Sequence, residues 1–136
     1  MLENKRDATF QVALISNNIE SGFSEITEGR IKVSSLMSKV FYAEHQSLKP
    51  GVHRDAHNAE PDEIGPITHI LMINEGAVSI GVGKELKQKY FEKGWVLCFT
   101  DEEGKGHSSR VSTYGCERTY MRAAGHLQKG DLLPKT

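Results

Sequence analysis

The stretch Ile67–Val82, ITHILMINEGAVSIGV, decides the fold class. Its first half, 67–73, is an apolar run of strand length with three isoleucines, which suits a buried strand. Asn74-Glu75-Gly76 then reads as a turn. The second half, 77–82, alternates small with branched residues, as a half-buried strand does.

The same rhythm continues on both sides. Upstream, 39–43 (KVFYA) reads as a strand, Lys49-Pro50-Gly51 as a turn and 52–57 (VHRDAH) as another extended segment. A polar loop rich in Asn, Glu, Asp and Pro covers 58–66. Downstream, Gly83-Lys84 marks a turn, and 85–91 is open between a polar edge strand and a short helical turn. The apolar 95–99 (WVLCF), an acidic Gly-rich loop at 100–106, and extended segments at 107–111 and 117–124 follow. Near the start, 8–15 (ATFQVALI) suits a strand, with a short helix as the alternative, and 24–29 reads as a turn region. Short apolar segments divided by turn residues predict an all-β jelly roll, a double-stranded β-helix with few or no supporting helices. The expected organisation is a single domain over 1–136, its core at about 31–125 and the tail 126–136 loose.

Composition narrows the function classes. The chain has 136 residues, 38% of them hydrophobic and 26% charged, as in an ordinary soluble domain. A formal net charge of -1 provides no field to attract nucleic acid or an acidic membrane surface. Apolar runs of about five residues fall far short of the roughly 20 needed for a spanning helix. The opening Met-Leu-Glu-Asn-Lys-Arg-Asp has no apolar run behind its charges, so a secretory signal is not expected. Two cysteines, Cys98 in an apolar strand and Cys116 near a turn, make neither a zinc motif nor a disulfide framework. A cytoplasmic, reducing setting is the resulting expectation.

Chemistry concentrates at His53-Arg54-Asp55. In an extended segment, residues two apart share a face, so His53 and Asp55 converge. A distant histidine would complete a two-histidine, one-carboxylate facial set with open metal positions, the arrangement of non-haem iron(II) oxygenases. His107, after an apolar strand and an acidic loop, is the natural third member. His57 competes at helical spacing from His53, but the nearby Pro and Gly disfavour a helix. His69 shares a face with Leu71 and Ile73 and reads as a core or pocket histidine. His45 and His126 read as surface residues. The Asp101-Glu102-Glu103 run reads as an exposed loop, with a rim facing a cationic substrate as the functional alternative.

From 39 to 122 the chain resembles the 2-oxoglutarate/iron(II) oxygenases, especially their prolyl-hydroxylase-like branch. The resemblance rests on an ordered series: VFYA, LKPG, HRD, ITHILMI, the KGWVLCF strand before His107, and Arg118 eleven residues after it. It implies Fe(II) held by His53, Asp55 and His107, and 2-oxoglutarate with its far carboxylate on Arg118. Arg122 is an alternative for that role, and Tyr120 and Tyr42 would assist. The implied reaction is O2-dependent hydroxylation of a C–H bond in a peptide, amino acid or nucleobase, releasing succinate and CO2. Two rivals share the barrel. A cupin-like metal-binding protein resembles the second half, from Asn74-Glu75-Gly76 through Gly94 to His107, although of the first cupin motif only His69 is present. A non-catalytic jelly-roll binding module is the other.

Overall fold

A computed structural model describes residues 8–135. The elements, in order, are β1 (Thr9–Asn17), β2 (Ser24–Lys32), a short helix α1 (Val33–Met37), β3 (Val40–Leu48), β4 (His53–His57), β5 (Ile67–Val82), β6 (Lys87–Glu92), β7 (Trp95–Phe99) and β8 (His107–Ala124). One turn of 3-10 helix, Lys129–Asp131, follows. The chain is an all-β jelly roll, as its strand pattern predicts. No helix among the described residues is long and apolar enough to cross a membrane.

Two long strands make the architecture. The first half of β5 pairs with β7 and with the second half of β8; the second half of β5 pairs with β6 and with the first half of β8. Each strand therefore runs through both walls. The larger wall has the order β2-β1-β7-β5-β8-β3, with β1 and β7 parallel and the other neighbours antiparallel. The smaller wall is β6-β5-β8-β4. Asn74-Glu75-Gly76, read as a turn, is the bend inside β5, where the pairing register shifts. The expected break between 107–111 and 117–124 is likewise a bend in one strand, at Gly115.

These bends meet. Gly76 and Gly115 both have left-handed backbone, φ 78° and 81°. A Cβ on Gly76 would collide with the carbonyl of Gly115. Glycine is needed there for conformation and for close backbone approach together.

Burial explains the apolar runs. In β1, Ala13 and Ile15 face the space between the walls, while Val12 and Leu14 face outward under a second apolar layer. In β7, Leu97 and Phe99 face inward, and Val96 and Cys98 outward. A strand covered on both faces has no polar side to alternate. The outer layer includes Leu36 of α1, with Leu127 and Leu132 of the tail packed against it.

Three expectations are thus corrected. The core begins at β1, well before 31, and 24–29 belongs to strand β2 rather than a turn. The polar composition of β2 belongs to an edge strand, and Gly29 serves close approach: a side chain there would meet the backbone oxygen of Leu133. The tail is also not loose. Leu133 N–H donates to Arg30 O at 2.7 Å, Arg30 N–H returns a bond to Leu133 O at 3.0 Å, and Lys135 pairs with Glu28. Burial pushes the Cys98 thiol up to about 12, which makes it an inert core residue.

Replacing Gly76 with alanine should cost roughly 2–4 kcal/mol, the left-handed penalty plus overpacking. Gly83→Ala, also at positive φ but with open space around it, should cost only the conformational part. Chemical denaturation of both variants checks this; equal losses would refute the close-approach argument.

Candidate functional site

A cavity of about 260 Å³ opens between the walls, and imidazole, guanidinium and phenol side chains reach it, with Glu60 on its lining. Arg54 and His57 come from β4, His107 and Ser109 from β8 in the small wall, and His69, Arg118 and Tyr120 from the large wall. Gln46, Leu71, Ile80 and Phe99 complete much of the lining.

The phase of β4 determines which residues enter. Arg54 pairs with Ser109 and His57 with His107, so three steps on β4 match two on β8. That extra residue is a β-bulge, and it puts Arg54 and His57 on one face despite their odd spacing. His53 pairs with Arg110, and both His53 and Asp55 are exposed and off the cavity lining. The expected set of His53, Asp55 and His107 is therefore not gathered. Among the described residues, no three His, Cys, Asp or Glu side chains are grouped to hold a metal ion.

His107 is the best-defined group of the site. Its Nδ1–H donates to Asp101 Oδ2 at 2.6 Å, and Ser24 Oγ donates to the same oxygen at 2.6 Å. His107 is 5% exposed and Asp101 0%. Asp101 Oδ1 is buried without a partner among the described residues. This corrects the reading of the acidic run as an exposed loop or rim: its first carboxylate sits behind the cavity wall. The loop is held there because Asn58 Nδ2 donates to the carbonyls of Asp101, Glu103 and Gly104, and Ala59 N–H also donates to Asp101 O.

His57 lies against His107, ring centroids 4.5 Å apart. Its Nδ1 is 2.8 Å from the backbone oxygen of Asp55, and a carbonyl can only accept, so Nδ1 carries the hydrogen. Both imidazoles thus engage Nδ1 and leave Nε2 without a protein partner among the described residues. Burial, with the nearby His107 and Arg54, holds the His57 ring below its ordinary pKa despite the opposing Asp55 bond.

His69 is a pocket histidine, as its position among apolar residues suggested, but both its nitrogens are taken. Nε2 donates to Glu60 O at 2.6 Å, which leaves Nδ1 to accept from Tyr120 Oη at 2.6 Å. Arg122 Nε donates to Tyr120 Oη at 3.0 Å, so the hydrogen bonds run in one direction from Arg122 to Glu60. Tyr42 stands outside the cavity, with its ring under Arg122 at 4.8 Å and its hydroxyl on Glu44. Arg122 also reaches Asp62 at 3.5 Å and stays half-exposed. Of the two candidate arginines, Arg118 is the one on the cavity.

The charge balance of this cavity is unusual. Arg118 Nε donates to Gln46 Oε1 at 2.9 Å, and neither Arg118 nor Arg54 forms an ion pair among the described residues. Burial lowers the Arg118 pKa, and repulsion from Arg54 adds to it. A guanidinium stays charged in proteins, so the site holds two cations outside any ion pair among the described residues, half-buried Arg118 and exposed Arg54, with exposed Glu60 also on the lining. Two free imidazole nitrogens beside two guanidiniums are a poor home for a metal cation, which wants three protein ligands and an anionic surround. Sequence reading missed Arg54 and Gln46, weighed His57 only as a disfavoured metal ligand, and took Asp101 for part of an exposed loop or rim. Only Asp101, six residues before His107 at the end of an apolar strand, left a usable signal.

The chain matches no protein-family description and no curated protein. Among solved structures it is similar to a Bacillus halodurans protein (14% identity, TM-score 0.47, 66% of each chain). It is also similar to Bacillus subtilis oxalate decarboxylase, a protein with Mn(II) centres (14%, TM-score 0.43, 93% of this chain and 32% of that one). A predicted oxalate decarboxylase from Thermotoga maritima is a third (16%, TM-score 0.37, 82% and 90%). The chain spans about a third of the B. subtilis protein. The strand order described above, rather than these distant likenesses, establishes the jelly roll.

Because His57 resists protonation in the folded protein, its contribution to stability is fully present above the ordinary imidazole value of 6.5. It is lost as the pH falls through the lower folded value. An NMR titration of the His57 ring should give a midpoint below 6.5. A midpoint at or above that value would overturn the burial account.

Proposed function

We infer that the protein is a cupin-like jelly-roll protein whose cavity receives a small organic carboxylate. The observation that carries this is the pair of guanidiniums, half-buried Arg118 from the large wall and exposed Arg54 from the small wall, lining one open cavity without ion-pair partners among the described residues. A shielded cation lacking an anion, such as Arg118, is costly, and a bound carboxylate offsets that cost through charge-assisted, bidentate hydrogen bonds. The cavity volume, about 260 Å³, sits below the range of roughly 300–1,000 Å³ typical of drug-sized ligands, so the ligand is a small acid.

The 2-oxoglutarate reading keeps one point of support, the position of Arg118, which that resemblance assigns to the co-substrate carboxylate. Its iron-binding half lacks support, since His53 and Asp55 face away from the cavity that His107 lines.

Calorimetric titration with acetate, pyruvate, succinate and 2-oxoglutarate tests the inference, beside metal analysis of the purified protein. At least one acid should bind one-to-one, and Arg118→Gln should weaken it about 10- to 100-fold, the loss of one or two charged hydrogen bonds at about 1.4 kcal/mol per decade. Absence of binding by every acid would refute it, and a stoichiometric bound metal would then favour the metal-binding reading.

A further inference from the structure

We propose that the cavity is a proton-transfer site for 2-oxo acids, in which His107 Nε2 removes a hydrogen from the carbon beside the ketone without help from a metal. This rests on the carboxylate-binding reading above and adds a reaction to it.

Three features of the site support this chemistry. First, His107 is held in a defined tautomer. The Asp101 carboxylate takes its Nδ1–H, so the lone pair is on Nε2, at the cavity side of the ring. Second, that carboxylate is buried, with a hydroxyl from Ser24 on the same oxygen and, among the described residues, no guanidinium or ammonium bound to it. A buried carboxylate of this kind stabilises an imidazolium when Nε2 gains a proton, and it fixes the ring so that little reorganisation is needed. Asp101 and Ser24 are positioning residues in this scheme. Third, there are two guanidiniums where binding a carboxylate needs one. Arg118, buried and held by Gln46, suits the carboxylate; Arg54, on the same strand face as His57, remains for a second site of negative charge.

A 2-oxo acid supplies both charges. Its carboxylate is present in the ground state, and its ketone oxygen becomes anionic only as the neighbouring C–H bond breaks. In the step proposed, the C–H electron pair moves into a C=C bond while the carbonyl π pair moves onto oxygen. The hydrogen becomes the proton on His107 Nε2. Arg54 faces the developing enolate oxygen, the arrangement that lowers such a barrier most. Return of a proton from Nε2 to the same carbon restores the acid. No oxidant, reductant or second substrate is consumed, and in deuterated water the net change is exchange of H for D.

The test is proton NMR of pyruvate, 2-oxobutyrate and 2-oxoglutarate in D2O, with chelator-treated full-length protein and a binding titration run on each. The expected result is loss of the C3 hydrogen signal of at least one bound acid at ten or more times the buffer rate. His107→Gln should slow it about 100-fold or more while affinity changes only a few-fold. Asp101→Asn should slow exchange and move the His107 hydrogen from Nδ1 to Nε2, visible in its ring 15N shifts, which a merely structural role would not do. Acids that bind but exchange no faster than in buffer would overturn the proposal. So would exchange that requires an added divalent metal, or a His107→Gln protein as fast as the parent. Failure of every acid to bind would instead remove the carboxylate-binding reading, and this one with it.

Discussion

Two strands passing at the closest distance backbones allow set up everything else in this molecule. Where β5 and β8 bend from the large wall to the small one, Gly76 lies against the carbonyl of Gly115, and no side chain fits between them. The crossing lets one pair of strands serve both walls, so the walls are joined by backbone hydrogen bonds as well as by packed side chains. It also fixes their relative phase. Tyr120 and Arg118 on one half of β8, and His107 and Ser109 on the other, all face the same interior. A different bend would send one of these pairs outward.

Inside that frame the charges are arranged asymmetrically. The buried carboxylate, Asp101, is behind the wall and meets the interior through the His107 ring, while Glu60 lines the cavity at its exposed side. The guanidiniums of Arg54 and Arg118 are in front. Shielding from water strengthens the electrostatics at Arg118 and Asp101, more than at the exposed Arg54. The same arrangement that disfavours a bare metal cation favours an anion and a proton. The Arg122–Tyr120–His69–Glu60 chain adds rigidity at the far side, each group having its hydrogen-bond direction set by its neighbour.

The contrast between His53-x-Asp55 and Arg54-x-x-His57 shows where strand logic fails. Period-two alternation predicts that His53 and Asp55 converge, but it cannot say which side chains of β4 face inside, and neither of these lines the cavity. A single bulged residue in β4 breaks the alternation and brings Arg54 and His57 to the same side. Bulges arise from how one strand meets its partner, and the partner of β4 lies about fifty residues away along the chain. The chemistry of this segment was therefore visible as a cluster of titratable residues, while its membership in the site was not. Asp101 was obscured for a related reason: an acidic triplet beside glycine normally marks solvent, and only the Asn58 contacts and the Ser24 hydroxyl, both distant in the chain, explain its burial.

What the amino-acid sequence determined alone is the all-β character, and it did so through local physics. Branched apolar residues at strand length, with Gly, Pro and Asn between them, leave few other options for 39–124. It also marked His69 as an interior histidine and put Arg118 and Tyr120 on one strand face, since two-residue spacing is a property of the strand itself. Tertiary structure decided whether a glycine is a turn or a crossing, as at Gly76 and Gly29, and whether a polar strand or tail docks, as β2 and Leu133 do. It decided as well which face of β4 is interior. These depend on partners distant in the chain, whose approach no local pattern records.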